Sequence, residues 1–104
     1  MNITEVGSYK RISAASTSTL VTGPCALLGI RVAGIALTGP FVQIWDGNDA
    51  TLASPGTIVL GTSTLAINTF HAMPMELQSG LTIQATAETE VDLTVFYVPM
   101  GYNT

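Results

Sequence analysis

The clearest pattern in the chain is the alternation of apolar and polar side chains over residues 79–99. Successive side chains of a β-strand point to opposite faces, so this alternation is typical of strands with one buried and one exposed face. The polar segment Glu88-Thr89-Glu90 divides the pattern in two, which predicts a β-hairpin with its turn there. Asp92 and Thr94 fall on the exposed face. The residues expected on the buried face are Leu81, Ile83, Ala85, Val91, Leu93, Val95 and Tyr97.

Shorter strand-like runs fill most of the remaining chain, and residues that favour turns separate them. Gly34 interrupts one long run, where we expect a bulge or a bend. Pro74 indicates an edge strand or a bend, because proline cannot donate a hydrogen bond to a ladder. Seven or eight short antiparallel strands with turns about every ten residues predict an all-β fold, either a β-sandwich or a small barrel. The runs cover residues 9–12, 16–22, 26–37, 41–46, 57–62 and 65–77.

The length of 104 residues fits a single domain, since domains commonly span about 100 to 150 residues. The strand patterns place this domain at residues 9–98. Residues 1–8 show no periodicity and are predicted to form an N-terminal arm, and residues 99–104 a C-terminal tail. The first residues also lack a basic region followed by an apolar one, so we expect no signal peptide.

The low content of charged residues limits the classes of partner. Only 10% of residues are charged, against about 25% in typical soluble domains. The net charge is −4, and the only cations are Lys10, Arg11 and Arg31. Binding to nucleic acid requires several clustered cations, as does binding to an anionic membrane surface, so neither partner is expected. No apolar run reaches the roughly 18 residues of a membrane-spanning helix.

Residues that could carry chemistry are few. The single Cys25 cannot form an internal disulfide and is expected to be a small buried apolar residue rather than a reactive thiol. A lone histidine, His71, is more often structural or exposed than catalytic. The Asp46-Gly47-Asn48-Asp49 segment is short for a calcium loop and fits a polar turn, and Glu88 and Glu90 fit exposed turn carboxylates. We therefore expect no catalytic residue, no metal site, no cofactor and no enzymatic activity.

A candidate interaction surface comes from the aromatic residues. If Val42 and Ile44 face the core, Phe41 and Trp45 on the same strand face outward. Phe96 and Val98 lie on the corresponding outward face of the last strand. Each large aromatic side chain can bury about 150–250 Å², so three of them together approach or exceed the apolar patch that a monomer usually exposes. This predicts a homo-oligomer, with the alternative that the parity is reversed and the aromatic residues are core. The predicted interface residues are Phe41, Trp45, Phe96 and Val98.

Four segments resemble the small decoration, or cement, proteins of tailed-bacteriophage capsids. They are Leu-Gly-Ile-Arg-Val at 28–32, Val-Gln-Ile-Trp-Asp at 42–46, Met-Glu-Leu-Gln-Ser-Gly-Leu-Thr-Ile at 75–83, and the closing strand at 91–97. The resemblance implies a β-sandwich or jelly roll that forms a homotrimer and binds the major capsid protein on the capsid exterior. It also implies synthesis in the host cytoplasm and no enzymatic activity. The apolar run at 96–100 departs from the family pattern and leaves open another phage structural role, in the tail, head fibre or head–tail region.

Three other functions remain open. A carbohydrate-binding sandwich would stack Trp45, Tyr9 or Tyr102 on a sugar ring. A small hydrolase would depend on His71, although the chain has few ionisable residues for such a site. The third is a subunit of a larger scaffold outside viruses.

Overall fold

The protein is an all-β sandwich of two four-stranded antiparallel sheets. A computed structural model describes residues 8–33, 41–86 and 91–99, and within these ranges every regular element is a strand. This confirms the predicted fold class. No helix in these ranges is long and apolar enough to cross a membrane. The strands are β1 (Ser8–Ile12), β2 (Ser16–Val21), β3 (Cys25–Val32), β4 (Phe41–Asp46), β5 (Thr57–Thr64), β6 (Thr69–Leu77), β7 (Leu81–Thr86) and β8 (Leu93–Pro99).

The strands pair from the two ends of the chain inward. One sheet has the order β1-β8-β3-β6 and is called the β1 sheet; the other has the order β2-β7-β4-β5 and is called the β2 sheet. The first strand therefore pairs with the last, the second with the seventh, the third with the sixth, and the fourth with the fifth. This nested pairing around one central hairpin is the jelly-roll arrangement. Of the eight strands, only β4 and β5 are both consecutive in the chain and paired.

The alternating residues of both sheets form one shared core. The apolar residues predicted to be buried between 81 and 95 are all buried, and Tyr97 packs against the core half-buried. Val42 and Ile44 also face the core, as expected, and both are fully buried. The core cluster comprises Ile12, Cys25, Leu27, Ile30, Val32, Val42, Ile44, Leu65, Leu77, Leu81, Ile83, Ala85, Val91, Leu93 and Val95.

The predicted hairpin between residues 79 and 99 is wrong. β7 pairs with β2 and β4 in one sheet, whereas β8 pairs with β1 and β3 in the other. Alternation shows that one face of each strand is buried, but it is the same whether two strands pair or face each other across a core. The chain between β7 and β8 therefore crosses from one sheet to the other. The predicted turn residues 88–90 lie outside the described ranges.

Pro74 lies where the sequence placed it, on a strand at a sheet edge. β6 is an edge strand of the β1 sheet. Its register with β3 shifts beside Pro74, between the pairs Leu27–Met75 and Gly29–Ala72. The expected bend at Gly34 lies outside the described residues. The predicted arm at 1–8 and tail at 99–104 also lie outside the described residues, apart from Ser8, which begins β1, and Pro99, which ends β8. The predicted domain boundaries therefore stay predictions.

Gly29 allows a close approach between two strands. A Cβ atom at this position would lie 2.5 Å from Cζ of Phe70 and 2.6 Å from the carbonyl oxygen of His71. The oxygen belongs to the backbone of β6, so it cannot move aside as a flexible side chain could. Glycine at position 29 is therefore needed for the packing of β3 against β6.

We predict that Gly29→Ala destabilises the fold by about 1–3 kcal/mol, because the added methyl group forces the backbone of β3 and β6 apart. Gly61→Ala in β5 is the matched control, since a Cβ there meets nothing within 4 Å. It should change the free energy of unfolding by less than about 0.5 kcal/mol. Urea unfolding followed by tryptophan fluorescence measures both. Equal stability of the two variants would contradict this account of Gly29.

Candidate interaction surfaces

Three aromatic side chains form a row across the outer face of the β1 sheet. Tyr9 on β1 lies beside Phe96 on β8, with ring centroids 6.4 Å apart, and Phe70 on β6 meets Phe96 edge to face at 5.9 Å. Tyr9 is 71% exposed and Phe70 is 47% exposed, while Phe96 between them is half-buried. These three residues are called the aromatic row.

The row exists because β3, which lies between β8 and β6, carries glycine at this level. Phe96 pairs with Gly29, and the Phe70 ring lies over the space that a side chain on Gly29 would fill. An aromatic ring that covers a glycine on a neighbouring strand restores packing lost there. Edge-to-face contact between Phe70 and Phe96 adds to it. The row is therefore held by the sheet itself, on a rigid backbone.

A row of polar residues lies beside the aromatic row. Thr94 on β8 pairs with Arg11 on one side and with Arg31 on the other. Arg11 forms a two-bond ion pair with Asp92, in which Nε donates to Oδ1 at 2.9 Å and Nη2 donates to Oδ2 at 2.7 Å. Arg31 is exposed. The polar row thus presents one guanidinium group that is engaged within the chain and one that faces outward.

Asp92 was expected on the exposed face and is instead buried, with 9% of its surface exposed. The alternation misleads here because the Arg11 side chain lies against the carboxylate and satisfies its charge. The hydrogen bonds from Arg11 hold the pKa of Asp92 below its usual value, against the opposing effect of burial. A buried carboxylate with this geometry joins β1 to the segment that leads into β8.

Several polar side chains on the outer face of the β2 sheet form hydrogen bonds within the chain. Nε2 of Gln84 donates to Oγ1 of Thr17 at 3.1 Å, and the hydroxyl groups of Thr19 and Thr82 lie 3.0 Å apart. The Thr82 hydroxyl donates to the carbonyl oxygen of Gly47 at 2.8 Å. Four polar side chains on this face, those of Thr17, Thr19, Thr82 and Gln84, therefore have partners within the chain.

The prediction that Trp45 is exposed is wrong, since only 5% of its surface is accessible. The neighbouring Ile44 belongs to the core cluster and Trp45 does not. Trp45 therefore points to the opposite face of the strand, as predicted. The parity was therefore correct, but this part of the outer face is covered. Phe41 on the same strand is 38% exposed, and Ile58, which pairs with Trp45, is 52% exposed.

The four predicted interface residues do not share one face. Phe41 and Trp45 belong to the β2 sheet, whereas Phe96 and Val98 belong to the β1 sheet, so the outer faces that carry them are on opposite sides of the sandwich. Phe96 and Val98 are half-buried. Phe70 was not predicted to belong to the surface. The signal that could have found it is a glycine within a strand pattern, which often marks a site where a neighbouring residue approaches closely.

The other candidate residues have structural partners. Cys25 is fully buried, as predicted, and burial together with the negative charge of Asp46 raises the pKa of its thiol. Nε2 of His71 donates to the carbonyl oxygen of Ala66 at 3.1 Å. Asp49 accepts hydrogen bonds from the Thr51 hydroxyl and from the backbone N–H groups of Ser54 and Thr51, and these lower its pKa. Within the described ranges, no group of three His, Cys, Asp or Glu side chains is placed to hold a metal ion.

Comparisons with known proteins give one distant likeness. No protein-family model matches the chain, and no curated protein matches it. A chain from the solved structure of Bacillus endospore appendages, described as a family of disulfide-linked pili, is 19% identical. The match covers 90% of this chain and 87% of that chain, with a TM-score of 0.47. Function has therefore to be inferred from the residues of this chain.

We predict that stability falls at low pH and that Asp92 accounts for part of the fall. Because its pKa is lower in the folded state than in the unfolded state, the stabilisation is complete above the unfolded value of about 3.9. It is lost as the pH falls through the folded value. The midpoint of thermal unfolding, measured from pH 7 to pH 2, should fall less for Asp92→Asn than for the unchanged chain.

Asp49→Asn is the matched control, because the pKa of Asp49 is also lowered, but by hydrogen bonds from its own loop. Each variant should remove only its own share of the pH dependence. A difference in midpoint between Asp92→Asn and the unchanged chain that stays constant from pH 7 to pH 2 would show that the ion pair does not titrate as described.

Proposed function

We propose that the chain is a non-enzymatic structural subunit that works by contact with other protein surfaces. The observation that carries the proposal is the aromatic row on the outer face of the β1 sheet. Tyr9 and Phe70 are large, exposed and fixed on paired strands. Exposed aromatic residues on a rigid scaffold are typical of the residues that supply most of the energy of protein–protein contacts.

The composition supports the same function. With 10% charged residues, against about 25% in typical soluble domains, and a mean hydropathy of +0.46, the chain has few charged groups to oppose close contact between subunits. Contacts of modest strength suffice for such a subunit when many copies bind to one large particle. Cys25 is buried and His71 is bonded to a backbone carbonyl group, and these contacts support a structural role for both residues.

The finer form of the proposal is decoration of a bacteriophage capsid. It is supported by the resemblance of the segments at 28–32, 42–46, 75–83 and 91–97 to capsid decoration proteins. The chain would be made in the host cytoplasm and would bind the major capsid protein on the exterior of the virion. The homotrimer of that family is implied by the resemblance alone, and the contacts described above do not bear on the number of copies. The jelly roll itself supports no particular partner, because this fold serves many functions.

A second candidate, carbohydrate binding, is favoured by one observation. Tyr9 is 71% exposed beside Phe96, and an exposed aromatic side chain is a surface on which a sugar can stack. Of the other residues suggested for stacking, Trp45 is buried and Tyr102 lies outside the described residues. Binding on a glycan array that Tyr9→Ser abolishes would favour this candidate over a purely structural role.

We predict that an antibody against the purified chain labels phage particles from the organism that makes it, with gold particles spread over the head surface in electron micrographs. Spread label is expected because a decoration protein occupies many equivalent sites. Preimmune serum on the same particles is the control. Label confined to the tail would favour the other phage role, and particles without label, intact or disrupted, would contradict a virion function.

A further inference from the structure

The outer face of the β1 sheet carries opposite charges at its two ends. Arg31 on β3 pairs with Phe70 on β6, and Glu76 lies six residues further along β6. Both charged residues are exposed and share the parity of the outer face. At about 3.3 Å per residue along a strand, they are on the order of 20 Å apart, too far to pair within one chain.

The aromatic row lies between these two charges. Phe70 pairs with Arg31, but its ring lies over Gly29, the residue with which Phe96 pairs, and Gly29 stands between Arg31 and the Ala26–Glu76 pair. Within the described ranges the one ion pair is Arg11–Asp92, which leaves Arg31 and Glu76 facing outward. The face therefore consists of a cation at one end, aromatic rings in the middle and an anion at the other end.

We propose that this face binds the same face of a second copy of the chain about a two-fold axis. The axis lies in the plane of contact and is perpendicular to the strands. The strands of the second copy therefore run in the opposite direction to those of the first. The cationic end of each copy then opposes the anionic end of the other, so Arg31 faces Glu76 twice, and the two aromatic rows meet in the middle. A surface that is complementary to itself is what a two-fold contact requires.

The chemistry favours a second copy over an unrelated partner. The chain carries three cations and seven acidic residues, and all three cations lie on the β1 sheet. On the aromatic face, Arg11 is balanced by Asp92 and Arg31 by Glu76, so the described residues give this face no net charge and two copies of an acidic chain can meet there without repulsion. The dimer rests on the proposed function in one respect only: both require that copies of the chain assemble.

The size of the face sets the expected strength. Four strands spaced about 4.8 Å apart and about seven residues long give a flat area on the order of 450 Å² per copy. Two copies then bury less than the roughly 1,200–2,000 Å² of a standard stable interface. The dimer should therefore be weak, with dissociation in the micromolar range or above. The charge pairs fix its register more than they add to its affinity.

The test is the molar mass of the purified chain by sedimentation equilibrium over a wide range of concentration. The unchanged chain should shift from 10.8 kDa toward twice this value as concentration rises. Arg31→Glu should raise the dissociation constant about tenfold, because the symmetry turns two attractive pairs into two repulsive ones. Glu76→Arg should do the same. The double variant carrying both changes should return the dissociation constant to near its original value.

Two matched controls separate this contact from general effects. Lys10→Glu changes the net charge as much as Arg31→Glu does, but Lys10 follows the opposite parity to Tyr9 and lies off the aromatic face. Phe70→Ser should weaken the dimer, whereas Ile58→Ser, on the outer face of the other sheet, should not. Circular dichroism checks that each variant is folded. If a reversal fails to fold, Arg31→Gln and Glu76→Gln replace it, and each should weaken the dimer by a smaller factor.

Four outcomes would overturn the inference. They are a single-chain mass at every concentration, a three-chain mass, equal weakening by Lys10→Glu and Arg31→Glu, and a double variant no better than either single reversal. A three-chain mass would instead favour the three-fold contact of the capsid resemblance. The proposed function fails separately: unlabelled phage particles contradict it even if the dimer forms, and a strictly monomeric chain that labels the capsid head contradicts the dimer alone.

Discussion

The carboxylate of Asp46 joins the two turns around which the jelly roll is wound. It accepts hydrogen bonds from the backbone N–H groups of Gln78, at 3.0 and 3.1 Å, and of Ser79, at 2.8 Å. The end of β4 is thereby tied to the turn between β6 and β7. Gly47 belongs to the same junction, since its carbonyl oxygen accepts from Thr82 and a Cβ there would overlap the backbone of Pro55. Hydrogen bonds from main-chain donors to a charged acceptor are among the stronger ones in proteins, so the central hairpin and the neighbouring turn form one unit.

This nested winding creates the surface that function depends on. Tyr9, Phe70 and Phe96 are far apart in the sequence. They meet because β1 pairs with β8, and because only β3 separates β8 from β6. The contact between Phe70 and Phe96 passes over Gly29, so a glycine within a strand decides whether the row is continuous. A fold with the same strands in another order would leave the same aromatic residues on different faces.

Local pattern was enough to predict the strands and the core, because burial of alternate side chains is a property of each strand alone. Leu81, Ile83 and Val95 are buried for this reason. Pairing between strands depends on the whole chain, so the predictions that β7 pairs with β8 and that Phe41 and Phe96 share one surface were wrong: in each case the two lie in different sheets. Burial of Trp45 and Asp92 was missed for a related reason. Each has the parity of an outer face, and what covers an outer face comes from residues distant in sequence.

The edges of both sheets limit the ways in which copies of the chain can associate. β6 carries Pro74, β1 carries two cations, and the registers of β5 with β4 and of β2 with β7 shift along their length. Proline, charge and bulges at an edge all oppose the addition of a further strand. Association through the faces remains, and the two outer faces differ: on the β2 sheet, Thr17, Thr19, Thr82 and Gln84 are hydrogen-bonded to one another in pairs, while the β1 sheet exposes aromatic rings between opposite charges. Within the described residues only the β1 sheet carries this arrangement, and a self-complementary face that occurs once per molecule favours a closed pair over a growing fibre.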